Sequence, residues 1–409
     1  MDLFEKLECK MGPIGVHADF AKGYFIYPKL EGSIGPRMRF QGQEMVVWSI
    51  NDYLGLASNP EIKEVDAEAT RKFGLAYPMG SQLMTGRNDY QEALEDELAI
   101  FTEKESALVL NFGYQGFMSV IDCLLDRRDV VVYDADNHAC LLDGIRLHLG
   151  KRFKFAHNDI HSCEKQLGRA TEIVKKTGGS ILLITEGVFG MRGEQGILKK
   201  IIALKQDYNF RLLVDDAHGF GTMGKTGMGT GEEQNVQNEI DIYLATFAKS
   251  MASIGAFVAT TQRVRDYIEY NARSQVFAKS LPVAIIEGVR ARLKYIQKNP
   301  ELRKKLWDNT YKLRTGLQKR GFDIGNPSTN VTPVFMRGSL EEALGLVYNM
   351  RSEHNVFCSF ITYPGVPKGM MLLRMIPTAA HTSEDIQITL DAFSAVSKKL
   401  QERNYQMIP

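Results

Sequence analysis

The sequence has 409 residues, of which 44% are hydrophobic and 24% charged, as is ordinary for a soluble enzyme with more than one structural unit. The net charge of +1 gives no overall field that would favour nucleic acid or an anionic membrane. The five cysteines are scattered and never spaced as CxxC, so we predict no disulfide framework, no metal site and a reducing compartment. The chain starts without a secretory signal, and no apolar run is long enough to span a bilayer. A cytoplasmic protein is expected, with peripheral contact at the inner membrane left open.

The pattern of apolar residues divides the chain. Residues 1–45 are mixed in composition and Gly-rich near 31–42, which predicts an N-terminal arm. In 46–285, short apolar runs alternate with helical patterns, including a helix over 89–103 behind the possible cap Asn88. Strands are predicted near 131–135 and at 181–186, 211–216, 242–247 and 256–260. Their consecutive Val, Ile and Leu residues are typical of strands buried on both faces. The sequence therefore predicts a large α/β domain with a mostly parallel sheet flanked by helices.

The pattern changes near residue 285. Charged helical stretches at 285–320, 339–354 and 383–403 flank strand candidates near 331–336 and 371–376. This change predicts a smaller C-terminal α+β domain over residues 286–409.

Titratable side chains follow two of the predicted strands. RLLVDDAHGFG places Asp215 at the end of a strand and His218 three residues later, and IYLATFAKS places Thr246 and Lys249 after another. Because ligands bind at the carboxyl ends of parallel strands, these groups are expected to cluster. Pyridoxal phosphate (PLP) needs a lysine for its Schiff base, a carboxylate for its ring nitrogen and a cradle for its phosphate. Taken singly, a solvated loop lysine, or a helix cap beside a surface acid, is the simpler interpretation.

The order of the parts resembles the α-oxoamine synthase family, which has the fold-type I PLP-transferase architecture. Eight segments between about 46 and 400 occur in the family's order: NDYLGLASNP (51–60), GSQLMTGRNDYQEALEDELAIF (80–101), NFGYQG (111–116), DADNHACLLDG (134–144), TEGVFGMRGEQG (185–196), VDDAHGFGTMGKTGMGT (214–230), TFAKSMASIGAF (246–257) and LLRMIPTAAHT (372–382). Within the family, NARSQVFAKSLP (271–282) and the spacing from Arg374 to His381 look most like bacterial serine palmitoyltransferases.

The resemblance implies catalytic roles for four residues. Lys249 forms the Schiff base and moves the α-proton of the substrate, which a lysine of depressed pKa can do. Asp215 pairs with the ring nitrogen, and His218 donates a hydrogen bond to the ring oxygen. His138 stacks on the ring and orients the substrate carboxylate. The alternative for His138 is an ordinary half-buried histidine after a strand.

Further positions are expected to contact the phosphate or the substrate. The backbone N–H groups of Gly113 and Tyr114 would open a helix at the phosphate, and Thr246 would add a hydroxyl. Arg374 would bind a carboxylate by a bidentate pair, with a surface salt bridge as the alternative. The weaker candidates for substrate binding are Asn51 and Tyr53.

The sequence also departs from the resemblance. The family's usual residues are replaced at Gly190 (usually serine), Arg192 (acidic), Gln82 (arginine), Gln91 (histidine) and Ala248 (a hydroxyl residue). Hydroxyls that commonly bind the phosphate are therefore missing at Ala248 and at Ala278. We hypothesise that Lys279 of the partner subunit supplies a charge in their place.

The reaction implied by the resemblance is a decarboxylating condensation of an amino acid with an acyl-CoA, which releases coenzyme A and carbon dioxide and leaves an α-amino ketone. L-Serine and palmitoyl-CoA are favoured, which would give the sphingolipid precursor 3-ketodihydrosphingosine. Glycine with acetyl-CoA and alanine with pimeloyl-CoA remain open, as do an aminotransferase and an inactive partner subunit. A homodimer with active sites between subunits is expected.

Overall fold

The chain folds into two compact units in this computed structural model, which describes residues 2–8 and 12–401. The larger unit consists of Asn51–Gly190 and Glu194–Lys304. The smaller unit takes the described residues as far as Ile50, Met191–Gly193 and those from Lys305 onward. Within the described part of the chain, we find no helix that is both long enough and apolar enough to span a membrane.

Strands and helices alternate through most of the chain. The strands are β1 (Leu30–Glu31), β2 (Arg37–Phe40), β3 (Gln43–Val47), β4 (Ser106–Leu110), β5 (Val130–Asp134), β6 (Lys151–Phe155), β7 (Ile181–Glu186), β8 (Val188–Phe189), β9 (Glu194–Gln195), β10 (Arg211–Asp215), β11 (Ile242–Thr246), β12 (Ala256–Thr260), β13 (Thr332–Phe335), β14 (Val356–Phe357), β15 (Ser359–Ile361) and β16 (Leu372–Met375). The α-helices are α1 (Leu3–Glu8), α2 (Gly12–Gly15), α3 (Ala18–Ala21), α4 (Pro60–Phe73), α5 (Asp89–Phe101), α6 (Gly113–Leu124), α7 (Ala139–Leu147), α8 (Ile160–Thr177), α9 (Leu198–Ala203), α10 (Thr230–Glu233), α11 (Gln262–Asn271), α12 (Arg273–Val276), α13 (Val283–Lys298), α14 (Glu301–Lys319), α15 (Leu340–Ser352) and α16 (Ser383–Gln401).

The larger unit is built on a seven-stranded sheet in the order β4-β12-β11-β10-β7-β5-β6. Strand β12 runs opposite to both of its neighbours, β4 and β11, and the other strands of this sheet share one direction. The predicted mostly parallel sheet is therefore confirmed. Side chains of its central strands, such as Val131 and Leu213, pack with Phe117 of α6 and Leu141 of α7 in one core. All five predicted strands are present, but β4 and β6 were not predicted. In β6, the run KRFKF places charged side chains on an exposed edge, which hides the strand pattern.

Helix starts in this unit are set by capping side chains. The Asn88 side chain accepts a hydrogen bond from the backbone N–H of Gln91, so α5 begins where the sequence predicted a helix. Asp159 caps α8 in the same way, and Gly178 ends it at a φ of 72°, a left-handed conformation that favours glycine.

The smaller unit joins residues from both parts of the sequence. Its four-stranded sheet has the order β1-β2-β3-β14, and β14 runs parallel to β3, with Val356 opposite Val46. A second sheet has the order β13-β16-β15. Residues 30–47 therefore form sheet strands with the C-terminal part, whereas the sequence predicted a separate arm over 1–45.

The division between the units also differs from the predicted boundary at residue 286. Helix α13 belongs to the larger unit, because its charged side chains bind α4 and α5. Arg292 donates two hydrogen bonds of 2.6 Å to the carboxylate of Asp66, and Arg290 pairs with Glu97 at 2.7 Å. These charges look like a solvated helix face in the sequence, but they hold α13 in place.

A buried arginine connects several segments of the smaller unit. Arg351 is 2% exposed and donates hydrogen bonds to the carbonyls of Tyr24 and Cys358. Its guanidinium lies 3.9 Å from the ring centroid of Phe357. Three more aromatic rings surround it: Tyr24, Phe25 and Phe40. A cation that is desolvated among aromatic rings contributes more than an exposed one.

We expect Arg351→Met to lower the free energy of unfolding of the smaller unit by about 2–4 kcal/mol, because two buried carbonyls lose their donor. Urea unfolding followed by tryptophan fluorescence measures this, since both tryptophans, Trp48 and Trp307, belong to the smaller unit. The control is Arg337→Met, which removes an arginine whose side chain is 88% exposed beside Asp323. That change should stay within about 0.5 kcal/mol. Equal unfolding midpoints for Arg351→Met and the unaltered protein would contradict the prediction.

Candidate active site

Two carboxylates are buried side by side at the ends of adjacent parallel strands. Glu186 ends β7, Asp215 ends β10, and the two residues are partners in the strand register. Burial raises the pKa of Asp215, while the nearby charge of Lys249 lowers it. Burial and the charge of Asp215 raise the pKa of Glu186 well above its usual range. Two acids in such surroundings are typical of a functional site.

His138 lies beside this pair, in the loop that leads from β5 to α7. Its backbone N–H donates a hydrogen bond of 2.5 Å to Glu186 Oε1. Its Nδ1 lies 3.0 Å from the thiol of Cys140, and that thiol lies 4.0 Å from Asp215 Oδ2. Its ring contacts the ring of Tyr114 edge-to-face, with centroids 6.2 Å apart. The loop thus brings an imidazole to the buried carboxylates.

Lys249 comes three residues after the end of β11. Its charge lowers the pKa of Asp215, of Glu186 and of the Cys140 thiol, although burial is the larger effect on each and raises it. The structure therefore brings Lys249, Asp215 and His138 together at the carboxyl edge of the sheet. The sequence analysis did not identify Glu186 or Cys140. An acid at the end of the apolar run ILLITE was the available signal for Glu186.

His218 is held by a tyrosine. Its Nδ1 lies 2.6 Å from the hydroxyl of Tyr53, which is fully buried and lies 3.4 Å from Asn51 Oδ1. The backbone of Gly190 passes so close that a Cβ there would lie 2.2 Å from His218 Nε2. The structure therefore brings Asn51, Tyr53 and Gly190 to His218.

The second aspartate of the VDDAH segment shapes the turn that carries His218. Asp216 is fully buried and accepts hydrogen bonds from the backbone N–H and hydroxyl of Thr230, each 2.7 Å, and from the Tyr243 hydroxyl at 3.0 Å. Burial raises its pKa to about 7, and these hydrogen bonds limit the rise. A surface acid was the simpler interpretation at this position. In the structure, Asp216 instead connects the turn that carries His218 to Thr230 and Tyr243 by buried hydrogen bonds.

The expected phosphate contacts lie where α6 begins. Gly113 is the first residue of α6, and a Cβ there would lie 3.4 Å from Thr246 Oγ1. The Thr246 hydroxyl donates to the carbonyl of Gly255 at 2.9 Å. Gly113, Tyr114 and Thr246 therefore lie at one place, where a helix start and a hydroxyl can receive an anion.

Lys279 and Arg374 have different positions. The Lys279 side chain is exposed, and its backbone carbonyl accepts a hydrogen bond of 2.6 Å from Asn111 Nδ2 in the same chain. Arg374 lies on β16 in the smaller unit, where it is 7% exposed and opposite Pro333 and Ser359. Its predicted role with the substrate carboxylate stays a prediction.

Two departures from the family's usual residues contact each other. Gln91 Nε2 donates to Gln82 Oε1 at 3.3 Å and to Glu95 Oε1 at 3.1 Å. Glu95 is buried and also binds Arg265 and Arg87. Because the two glutamines form one neutral pair, we interpret them as a single linked change.

The residues of the larger unit fit PLP. A buried carboxylate is available for the ring nitrogen, an imidazole beside it for the ring face, and a lysine amine for the aldehyde. Gly113 lies beside the Thr246 hydroxyl at the start of α6, where backbone N–H groups are available for an anion. The site prediction thus has a consistent geometry, and the individual roles remain proposals.

We expect Gly190→Ala to weaken PLP binding to the apoprotein by about tenfold or more, since a Cβ at this position displaces the His218 imidazole and breaks its contact with Tyr53. Fluorescence titration of the apoprotein with PLP measures the dissociation constant. Gly168→Ala is the control, because a Cβ there would meet only the Tyr208 hydroxyl, at 3.9 Å. A Gly190→Ala protein that binds PLP as tightly as the Gly168→Ala protein would show that His218 is not held in this way.

Comparisons with known proteins agree on one family. The profile of aminotransferase class I and II matches residues 43–393. The chain is 56% identical to a cysteate-C-fatty acyltransferase of Capnocytophaga ochracea, over 100% of this chain and 97% of that protein. It is 36% identical to an 8-amino-7-oxononanoate synthase of Exiguobacterium sibiricum, covering 91% and 93%. It is 33% identical to a serine palmitoyltransferase of Bacteroides thetaiotaomicron, covering 92% and 94%.

Solved structures support the fold and the cofactor. A serine palmitoyltransferase of Sphingomonas wittichii superposes with a TM-score of 0.90 at 26% identity, covering 100% of each chain. One from S. paucimobilis, solved with PLP and myriocin, superposes with a TM-score of 0.89 at 26% identity, covering 98% of this chain and 100% of that one. The predicted fold-type I architecture and the predicted PLP cofactor are confirmed. The chain belongs to the α-oxoamine synthase family of PLP-dependent acyltransferases.

Proposed function

We propose that the protein condenses L-cysteate with a long-chain fatty acyl-CoA. The products are coenzyme A, carbon dioxide and an α-amino ketone that keeps the sulfonate. The observation that carries this proposal is the 56% identity to a cysteate-C-fatty acyltransferase over the whole chain. An 8-amino-7-oxononanoate synthase and a serine palmitoyltransferase among its relatives are 36% and 32% identical. The sequence analysis favoured serine, which shares the reaction and differs only in the side chain of the substrate.

The buried groups suit the proton and charge movements of this reaction. PLP, when bound, supplies an electron sink for the carbanion at the substrate α-carbon. In our proposal, the Asp215 carboxylate stabilises positive charge at the ring nitrogen, and the Lys249 amine takes the α-proton. His138 orients the substrate carboxylate, and its position is held by the hydrogen bond from its N–H to Glu186.

A departure from the family favours an anionic side chain. Cysteate carries a sulfonate in addition to its carboxylate, so its pocket needs more positive charge than a pocket for serine. The family's usual acidic residue is replaced by Arg192, two residues after Gly190. We propose that the replacement of this acidic residue by Arg192 favours an anionic amino acid, cysteate, over serine.

The proposed assembly is a homodimer. The larger unit exposes several large apolar side chains in one short stretch: Leu75, Met79, Leu83 and Met84. Such a concentration is typical of a protein–protein contact. The resemblance to a family with shared active sites supports a second copy of the chain as its partner. Light scattering of the purified protein gives the mass that tests this proposal.

Substrate choice is tested by measuring coenzyme A thiol release over a grid of substrates. The amino acids are cysteate, serine, glycine, alanine and threonine, and the acyl-CoAs range from acetyl to stearoyl. We expect kcat/KM for cysteate with long chains to exceed that for serine by about a hundredfold or more. The Lys249→Ala protein is the blank. Release with serine and long chains alone would support a serine palmitoyltransferase instead, and release with glycine or alanine and short chains would support the other family reactions.

A charge reversal tests the proposed role of Arg192. Arg192→Glu restores the acidic kind of side chain that is usual in the family, so it should raise the KM for cysteate by about tenfold or more and leave the KM for serine nearly unchanged. Arg337→Glu, at an exposed arginine of the same unit, controls for net charge. Equal changes in the KM for both amino acids would contradict a role in selection.

A further inference from the structure

A histidine outside the site described so far bridges two carboxylates. His157 follows β6, and its Nδ1 lies 2.9 Å from Asp134 Oδ1 while its Nε2 lies 2.8 Å from Glu194 Oε2. Its side chain is 11% exposed and packs edge-on against the ring of Phe189 at 4.4 Å. A carboxylate only accepts hydrogen bonds, so both ring nitrogens must carry a proton to serve both partners. The bridging group is therefore an imidazolium.

The surroundings of His157 keep this charge at neutral pH. Burial lowers its pKa, but the hydrogen bonds to Asp134 and Glu194, with the charge of Asp136 at 3.9 Å, raise it to about 9. The side-chain amide nitrogen of Asn158 also lies near the ring, 3.5 Å from Nε2.

One end of the bridge shapes the loop that carries His138. The Asp134 carboxylate, at the end of β5, also accepts the backbone N–H groups of Asp136 at 2.9 Å and of Asn158 at 3.0 Å. It therefore fixes the first turn after the strand, four residues before His138. Asn137 adds a second anchor, because its side-chain amide donates to the carbonyl of Ile184 at 3.1 Å.

The other end of the bridge belongs to the β8–β9 hairpin. Glu194 is the first residue of β9 and lies opposite Phe189 of β8. This hairpin directly follows Glu186, whose carboxylate accepts the His138 N–H. The His157 imidazolium thus connects two segments. One is the loop that carries His138, which donates this hydrogen bond. The other is the β8–β9 hairpin, which follows the acceptor Glu186.

We propose that His157 is a positioning residue whose imidazolium joins Asp134 to Glu194 and so holds His138 against Glu186. It does not touch the reacting atoms. The inference rests on the proposed role of His138 at the PLP ring. Through His157, the position of the His138 imidazole depends on two carboxylates outside the site.

The His157 bridge makes the affinity for PLP depend on pH, and the direction of this dependence follows from the pKa of His157. The pKa of His157 is higher in the folded protein than its ordinary value of about 6.5. Its stabilising effect is therefore fully present below about pH 6.5 and is lost as the pH rises through about 9. We expect the affinity of the apoprotein for PLP to fall across that window, and to fall less in a protein without the imidazole.

The test compares His157→Gln with His161→Gln, which replaces an exposed histidine on the neighbouring helix α8. Glutamine can donate to only one of the two carboxylates and carries no charge. We expect His157→Gln to raise the dissociation constant for PLP by about tenfold. We also expect faster hydrogen exchange in the peptide that contains His138, measured by mass spectrometry on the apoprotein. His161→Gln should match the unaltered protein in both measurements.

Two further measurements guard against a simple folding defect. In apoprotein with labelled histidine, the NMR resonance that disappears in His157→Gln should titrate near pH 9. Glu194→Gln keeps an acceptor oxygen but removes a charge, so it should lower that pKa and raise the PLP dissociation constant by about threefold. A resonance that titrates near pH 6.5, or a His157→Gln protein with unchanged PLP affinity and His138 exchange, would overturn the proposal. None of these readouts uses an amino acid or acyl-CoA, so an error in the proposed substrate would leave them unchanged.

Discussion

Burying Glu186 and Asp215 side by side costs free energy unless positive charge and N–H donors compensate for the lost water. The compensating groups come from three loops at the same sheet edge: the N–H of His138, the N–H of Ala217 and the charge of Lys249. Each loop must leave its strand in one direction to bring its group there. The same directions bring an amine, an imidazole and a carboxylate close together, so the demands of burial and of PLP chemistry are met by one arrangement.

The sequence was sufficient for the parts of the site that lie close together along the chain or match the family's segments. Asp215, His218 and Lys249 follow recognisable buried strands, and consecutive apolar residues predicted five strands of the main sheet. Partners from distant segments could not be predicted in this way. The bridge at His157 joins β5, β6 and β9. The partners of Asp216 come after the following turn, so a surface acid stayed open as the simpler interpretation of the DDAH segment. Charges on α13 gave no sign that they bind other helices.

The choice of substrate was the other limit. Serine and cysteate undergo the same bond changes at the α-carbon, so residues that act there are shared and cannot distinguish them. Only positions that contact the side chain of the substrate can do so, and the departures of the sequence from the family do not by themselves identify those positions. Gln82 and Gln91 show that such departures can be linked by direct contact, so they are better interpreted as groups than singly.

The pairing of Val46 with Val356 has a consequence for how the protein is made. During synthesis, β1–β3 leave the ribosome early, while β14 follows only after all of the larger unit has emerged. Until then β3 has an unpaired edge that could join another nascent chain. The larger unit can collapse on its own core meanwhile, but the smaller one must wait for translation to be nearly finished.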